Sequence, residues 1–407
     1  MSSAFRILLV LAAVSLAASP AASPMPPAIA APLPPTDLFA FPGSNLSPAS
    51  AASAGLALAD RWLGDEPFDH AAGALRSVVS GSPIMLRTSR QDLRADNNDY
   101  TDTAAFFDAA GGYTAWAPRD RHWGVALYAS QPVLRREETH FVHGEAGAPT
   151  PPFTIAAQTE SREARVGLAL AWRLRGLELG VAPEVTTRSD RFVRDEQSAG
   201  PSAGITSWDY SGSGVGAVVS ARGTLPASIL GHVRMGGSVR FLSELAMDGS
   251  ATLVPGNNPE FSDISRESAW EGGVSIEASP SPVYRVIVGA GGRTATSWRN
   301  IAAANGASSQ YAMAIEYHDP EAPWRVRFGI GRDSNPGTPE SGASVFGLGF
   351  GWVNHALLYD AGVLHRRAAR RFPDVLRRSR GRHRHVSLRR GVTRRRRSTP
   401  SSVARDR

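Results

Sequence analysis

The chain has 407 residues, no cysteine and a formal net charge of +7. The absence of cysteine excludes disulfides, thiolate metal sites, thiol nucleophiles and a lipid-anchored lipoprotein. The charge is uneven: residues 366–407 hold 17 Arg against Asp374 and Asp406, a net of +15, which leaves an acidic −8 for the part before them.

The N-terminus has the form of an export signal. Arg6 supplies a positive start, Ile7–Ala13 form an apolar run too short to cross a bilayer, and Ala-rich sites near Ala18 and Ala31 suit a signal peptidase. Residues 1–31 are therefore expected to be a signal peptide. No later apolar stretch reaches roughly 18 residues, so no transmembrane helix is expected. Residues 32–82 begin as a Pro/Ala/Ser-rich lead-in and become Ala-rich and weakly helical after residue 49.

From residue 83 the dominant signal is alternation. Trp324, Val326, Phe328 and Ile330 alternate with Arg or Gly; Phe346, Leu348, Phe350 and Trp352 alternate with Gly. Val166, Leu168, Leu170 and Trp172, and Tyr311, Met313, Ile315 and Tyr317, repeat the pattern. A period of two puts one set on each face of a strand. A soluble sandwich alternates too, so the connections carry more weight. Tight ones are expected at 117–122, 175–176, 223–229, 279–283, 318–323 and 354–355, and long polar ones at 131–160, 188–207, 247–265, 297–309 and 332–342. Short and long turns taking turns along the chain is the pattern of a transmembrane antiparallel β-barrel. Trp116, Trp123, Trp172, Trp298, Trp324 and Trp352 fall near strand ends, where an interfacial girdle would lie. The barrel is placed at 83–366 with about 13 strand-like segments, one short of the even number usual in single-chain bacterial barrels.

Residues 367–407 are Arg-, His- and Ser-rich, without apolar periodicity. Three readings stand: a basic arm for nucleic acid, lipopolysaccharide or anionic lipid, a disordered extension, or an out-of-frame translation of a lost final strand.

The stretch Ser47-Pro48-Ala49-Ser50-Ala51-Ala52-Ser53-Ala54-Gly55-Leu56-Ala57-Leu58-Ala59-Asp60, followed by Phe68-Asp69-His70-Ala71-Ala72-Gly73-Ala74-Leu75, resembles the N-terminal segment of FadL-like outer-membrane transport proteins. In that family a small-residue segment with an Ala-Asp element precedes an Asn-Pro-Ala-Gly-Leu motif; here the Asn-Pro is missing. PorV-type barrels share this opening. The resemblance implies a barrel of about 14 strands with an N-terminal hatch inside it. Ser47, Pro48, Ala49, Ala59, Asp60, Phe68, His70, Ala72, Gly73 and Leu75 are the hatch positions. It also implies passive, hatch-controlled passage of small hydrophobic compounds across a cell outer membrane. The alternative is a non-transporting structural or secretion-accessory barrel. Lipid, lipopolysaccharide, the barrel assembly machinery and a small hydrophobic ligand are the expected partners of a monomer, without nucleic acid or cofactor.

Signals for catalysis are poor. Gly200-Pro201-Ser202-Ala203-Gly204 matches the Gly-x-Ser-x-Gly pattern but lacks the following helix that the chemistry needs. His122, His140, His143 and His232 could be bases, but no convincing nucleophile accompanies them. Asp96, Asp99 and Asp102 fit a solvated loop better than a cation site. No enzyme and no metal are expected. Alternation places Glu316, Arg325 and Arg327 on the lumen side, where they would line a polar interior or pair with hatch carboxylates such as Asp60, Asp65 and Glu66.

Overall fold

The computed structural model describes residues 51–368 apart from short internal stretches. A helix, α1 (Ala51–Gly55), and a 3-10 segment (Ala71–Leu75) precede a wall made wholly of antiparallel strands. Six pairs of strand segments run end to end: β1 (Val78–Ser80) into β2 (Ile84–Ala95), β3 (Asn98–Ala109) into β4 (Gly111–Trp116), β9 (Gly231–Leu242) into β10 (Leu245–Leu253), β11 (Asp263–Arg266) into β12 (Ala269–Ser281), β13 (Tyr284–Arg293) into β14 (Thr296–Arg299), and β15 (Ala304–Asn305) into β16 (Ser308–His318). The others are single: β5 (Trp123–His143), β6 (Phe153–Leu174), β7 (Leu177–Ser198), β8 (Gly204–Ser228), β17 (Trp324–Asp333), β18 (Ala343–Asn354) and β19 (Leu357–Ala368). The nineteen segments thus form thirteen staves, each hydrogen-bonded to the next in chain order.

The wall is inside out relative to a soluble protein. Val166, Leu168, Leu170 and Trp172 on β6 are exposed outward, as are Tyr311, Met313 and Ile315 on β16 and Phe346, Leu348, Phe350 and Trp352 on β18. Facing inward are Glu163 and Arg165 on β6, Glu316 on β16 and Arg327 on β17, all nearly inaccessible. Charged groups in the centre and a continuous apolar exterior reverse the usual partition. From Val166 to Leu174 the belt runs roughly 26 Å along the strand at about 3.3 Å per residue.

Tight connections join the staves at one end. Arg175 (φ 49°) and Gly176 (φ 86°) are both left-handed and link β6 to β7, the two-residue geometry that suits strand twist. Trp116 and Trp123 meet edge to face across the neighbouring turn, with ring centroids 5.1 Å apart. At the other end the sequence-based boundaries need correction. Much of the stretches 131–160, 188–207 and 247–265 is strand: β5 runs on to His143, β7 to Ser198 and β10 to Leu253. Beyond the belt the outward positions become polar, so the ladder continues after the apolar alternation that announces it has ended.

Three neighbouring staves are interrupted at one level, at Ser243–Glu244, Glu267–Ser268 and Thr294–Ala295. Each break takes two residues out of alternation, so Leu242 and Leu245, Arg266 and Ala269, and Arg293 and Thr296 are all buried. The flip works like a bulge, changing which residues point inward while the ladder resumes beyond it. It also corrects the girdle: Trp298 lies past a break and is buried on the inner side, while Trp270, beside the break, is 49% exposed on the outside.

Candidate functional site in the barrel lumen

Residues 51–75 lie along the inside of the wall. Their partners descend in stave order as the hatch sequence ascends. Ala54 and Gly55 meet Gly347 and Gly349 on β18, Leu56 meets Gly329 on β17, Ala59 meets Gly289 on β13, and Trp62 meets Gly291. Ala72 then reaches Gly180 on β7 and Ala74 reaches Gly124 on β5. A Cβ added at Gly347 would lie 2.5 Å from the Ala54 carbonyl oxygen, and one at Gly329 would lie 2.5 Å from the Leu56 carbonyl carbon. Glycine here is a requirement of space: it lets hatch backbone touch wall backbone.

Small residues make that fit possible from the hatch side as well. Ala54, Ala57, Ala59, Ala71, Ala72 and Ala74 are all buried. Ala57 (φ 50°) and Leu58 (φ 67°) are left-handed without being glycine, and the Leu58 N–H donates to the Ser53 carbonyl at 2.9 Å. Such a conformation persists only where its surroundings fix it. Polar bonds fasten the rest. Ser275 donates to the Ala59 carbonyl (2.8 Å), the Ala72 N–H to Ser220 (3.1 Å) and Arg222 to the Gly64 carbonyl (3.1 Å), while His70 Nε2 lies 3.4 Å from the Ala221 carbonyl. Phe68 packs edge-on against Tyr113 and Tyr128.

Asp69 ties the hatch to a buried ion-pair array. It pairs with Arg61 at 3.1 Å and with Arg240 at 2.8 Å. Arg240 also pairs with Glu184 (2.8 Å) and Glu271 (3.2 Å), and donates to the Phe68 carbonyl. Tyr128 donates to Glu184 at 2.6 Å. From Glu271 the array continues through Arg165 (3.1 Å) to Glu163 (2.8 Å), then to Arg266 (3.1 Å). Arg188 pairs with Asp190 at 2.7 Å and lies over the Trp298 ring, 5.3 Å from its centroid. Burial opposes ionisation of Asp69, but Arg61 and Arg240 outweigh it and hold the carboxyl down at about 2. Asp60 behaves oppositely. Burial pushes its carboxyl up against the lowering effects of the Ser53 hydroxyl, which donates at 2.9 Å, and of Arg285 and Arg327.

Beyond the array, toward the long-connection end, the inner wall turns apolar. Phe192, Trp208, Tyr210, Leu245, Met247, Ile264 and Trp298 form one buried cluster drawn from five staves, with Trp208 and Tyr210 stacked at 6.2 Å.

Ala59, Asp60, Phe68, His70, Ala72, Gly73 and Leu75 all lie in the segment that runs along the inner wall, whereas Ser47, Pro48 and Ala49 fall outside the described residues. Glu316 and Arg327 face inward and pair with each other at 2.6 Å; Arg327 also binds Asp360, and Arg285 pairs with Glu316 at 3.0 Å. Arg325 shares their face but is only partly buried. Arg327 takes these wall partners and acts on Asp60 through space, while Asp69 pairs directly with Arg240 of the wall. Sequence reasoning missed Arg240, Glu184, Glu271 and the aromatic cluster. The even-numbered run Glu184, Arg188, Asp190, Phe192 on β7 was the available signal. Asp99 and Asp102 sit on β3 opposite Arg94 and Gln91, and Asp96 lies outside the described residues, as does most of the 200–204 pattern.

The chain is similar to the crystal structure of a Pseudomonas aeruginosa FadL homologue, with a TM-score of 0.58 over 80% of this chain and 91% of that one, at 10% identity. The fold is FadL-like. No family model matches the sequence, and no curated protein matches it.

Proposed function

We propose that the protein is an outer-membrane barrel that passes small hydrophobic compounds by passive diffusion under control of the hatch. The carrying observation is the cluster of Phe192, Trp208, Tyr210, Leu245, Met247, Ile264 and Trp298 on the inner wall beyond the ion-pair array. Apolar and aromatic side chains with a few polar groups at one border are what a small apolar ligand needs. The outward belt of Val166, Leu168, Leu170 and Trp172 supports a lipid surround, and residues 1–31 would be removed on export. Passage past the hatch requires it to shift, since its backbone abuts glycines around the wall.

The test is uptake of a hydrophobic fluorescent probe by liposomes holding the full chain. Uptake above empty liposomes, reduced at least fivefold by Trp208→Ala with Met247→Ala, is expected. A chain that inserts fully and gives no uptake would sink transport. That result would favour the second reading, a non-transporting structural or secretion-accessory barrel, which the many bonds fastening the hatch support.

A further inference from the structure

The thirteen staves have two edges. Among the described residues, β19 bridges to β18 alone and β1–β2 bridge to β3–β4 alone. Each stave runs antiparallel to the next, so with an odd number the first and the thirteenth run the same way. Joining them directly would require a parallel pair in an otherwise antiparallel wall. One further strand, antiparallel to both, satisfies both edges. The physical demand is strong, because an open sheet edge facing hydrocarbon leaves a row of backbone N–H and C=O groups without partners. The edge stave is built as wall: Tyr359 and Val363 are exposed on its outer face at 57% and 65%, and Asp360 on its inner face binds Arg327.

The residues that follow have the wrong chemistry for that strand as they are read. Between Phe372 and Leu388 stand five Arg and two His, with no alternating apolar set. The same bases read one position forward behave differently. Arg codons of the CGN type become GNC before a His codon, encoding Val, Ala, Gly or Asp. The His codons become AYC or AYG, encoding Thr, Ile or Met. The run Arg382-His383-Arg384-His385 therefore becomes an alternation of mostly small or β-branched residues under any choice of those codons. One synonymous choice across Phe372–Leu388, with an Arg389 codon beginning in A, reads SRTSYDDRVGVTVTFR followed by a stop. That peptide has a polar connection and then V-G-V-T-V-T-F. Apolar residues alternate with Gly and Thr there, much as Phe346, Leu348, Phe350 and Trp352 alternate with Gly on β18.

We infer that the gap between β19 and β1–β2 takes a single antiparallel strand, and that this strand is encoded one base out of frame across codons 372–388. The first test is the nucleotide sequence of that region. Alternation running to an aromatic residue and a stop is expected; a stop within the first ten shifted codons, or no alternating apolar set after the eighth, overturns the inference. The second test compares the full 407-residue chain with the frame-corrected chain, both refolded into detergent and run with and without heating. The frame-corrected chain should keep its heat-modifiable band to a higher temperature and protect β19 from trypsin better than the 407-residue chain does; equal behaviour of the two overturns the inference. Because the chain has no cysteine, Val363→Cys can be paired with cysteine at each of three successive outward positions of the new strand. A disulfide at one position is expected, and none at all three overturns the assignment.

Discussion

Arg240 is the residue on which hatch and wall converge. It holds Asp69 of the hatch, Glu184 of β7, Glu271 of β12 and the Phe68 carbonyl from one guanidinium. Removing one member of a buried ion pair costs about 3–5 kcal/mol, because the partner charge is left stranded. Arg240→Ala is accordingly expected to lower the urea midpoint of the protein in detergent by that order, and an unchanged midpoint would refute the role. Asp69 adds a pH dependence with a definite sign. Its carboxyl sits at about 2 in the fold against an ordinary 3.8, so its stabilising contribution is whole above 3.8 and is lost as pH falls toward 2. Asp60, raised by burial, favours the fold most at low pH and contributes less as pH rises through its folded value. Pepsin cleavage of the hatch should therefore rise on acidification from pH 4 to pH 2, and Asp69→Asn should flatten that rise. None of this was legible beforehand. Asp69 and Arg240 are 171 residues apart, and no spacing rule joins them.

At the scale of elements, the hatch depends on what the wall omits. Gly347→Val would put a side chain where the Ala54 carbonyl lies, and on the hatch side the backbone itself is the obstacle. The variant is expected to keep its strand content by circular dichroism while residues 51–75 become sensitive to protease. Protease resistance equal to the parent would show that the hatch does not need that seat. The placement of 47–75 inside the barrel came from the resemblance to FadL-like proteins, since the composition alone read only as Ala-rich and weakly helical. The glycines of the wall read only as one half of an alternation, and nothing local marks which of them face a partner. Strand identity was legible wherever one face met an apolar surround, as on β17 and β18. The outer portions of β5, β6 and β7 were read as loops because polar and charged residues dominate their sequence, so period two carries little hydrophobic signal there. Trp298 was assigned to the exterior because the break at Thr294–Ala295 reverses its face, and no residue type predicts that break.

At the scale of the whole molecule, the inverted partition of apolar and charged residues is the defining property. Leu168 lies mid-belt and is 44% exposed. Leu168→Arg is expected to cost about 2–4 kcal/mol if that position meets the bilayer midplane, measured as a lowered folded fraction in phospholipid vesicles. Its neighbour Ala169 faces inward and is buried. Leu168→Arg refolding with parental yield would place the belt elsewhere. The net charge of the chain misleads at this scale, since the excess of arginine lies after residue 366 and the part before it is acidic.

The opposed order of hatch and wall bears on how the protein is made. Ala54 is synthesised long before Gly347, and Ala74 shortly before Gly124, yet all four meet in one lumen. The C-terminal part of the hatch can find its seat as soon as β5–β7 exist, whereas α1 must wait for β17 and β18. Contacts at such sequence separation make folding slow, because loop closure precedes the gain from contact. The hatch is thus made before any stave and, at its leading end, is the last segment fastened. A half-built wall would already hold its later-made end while the earlier end stayed free.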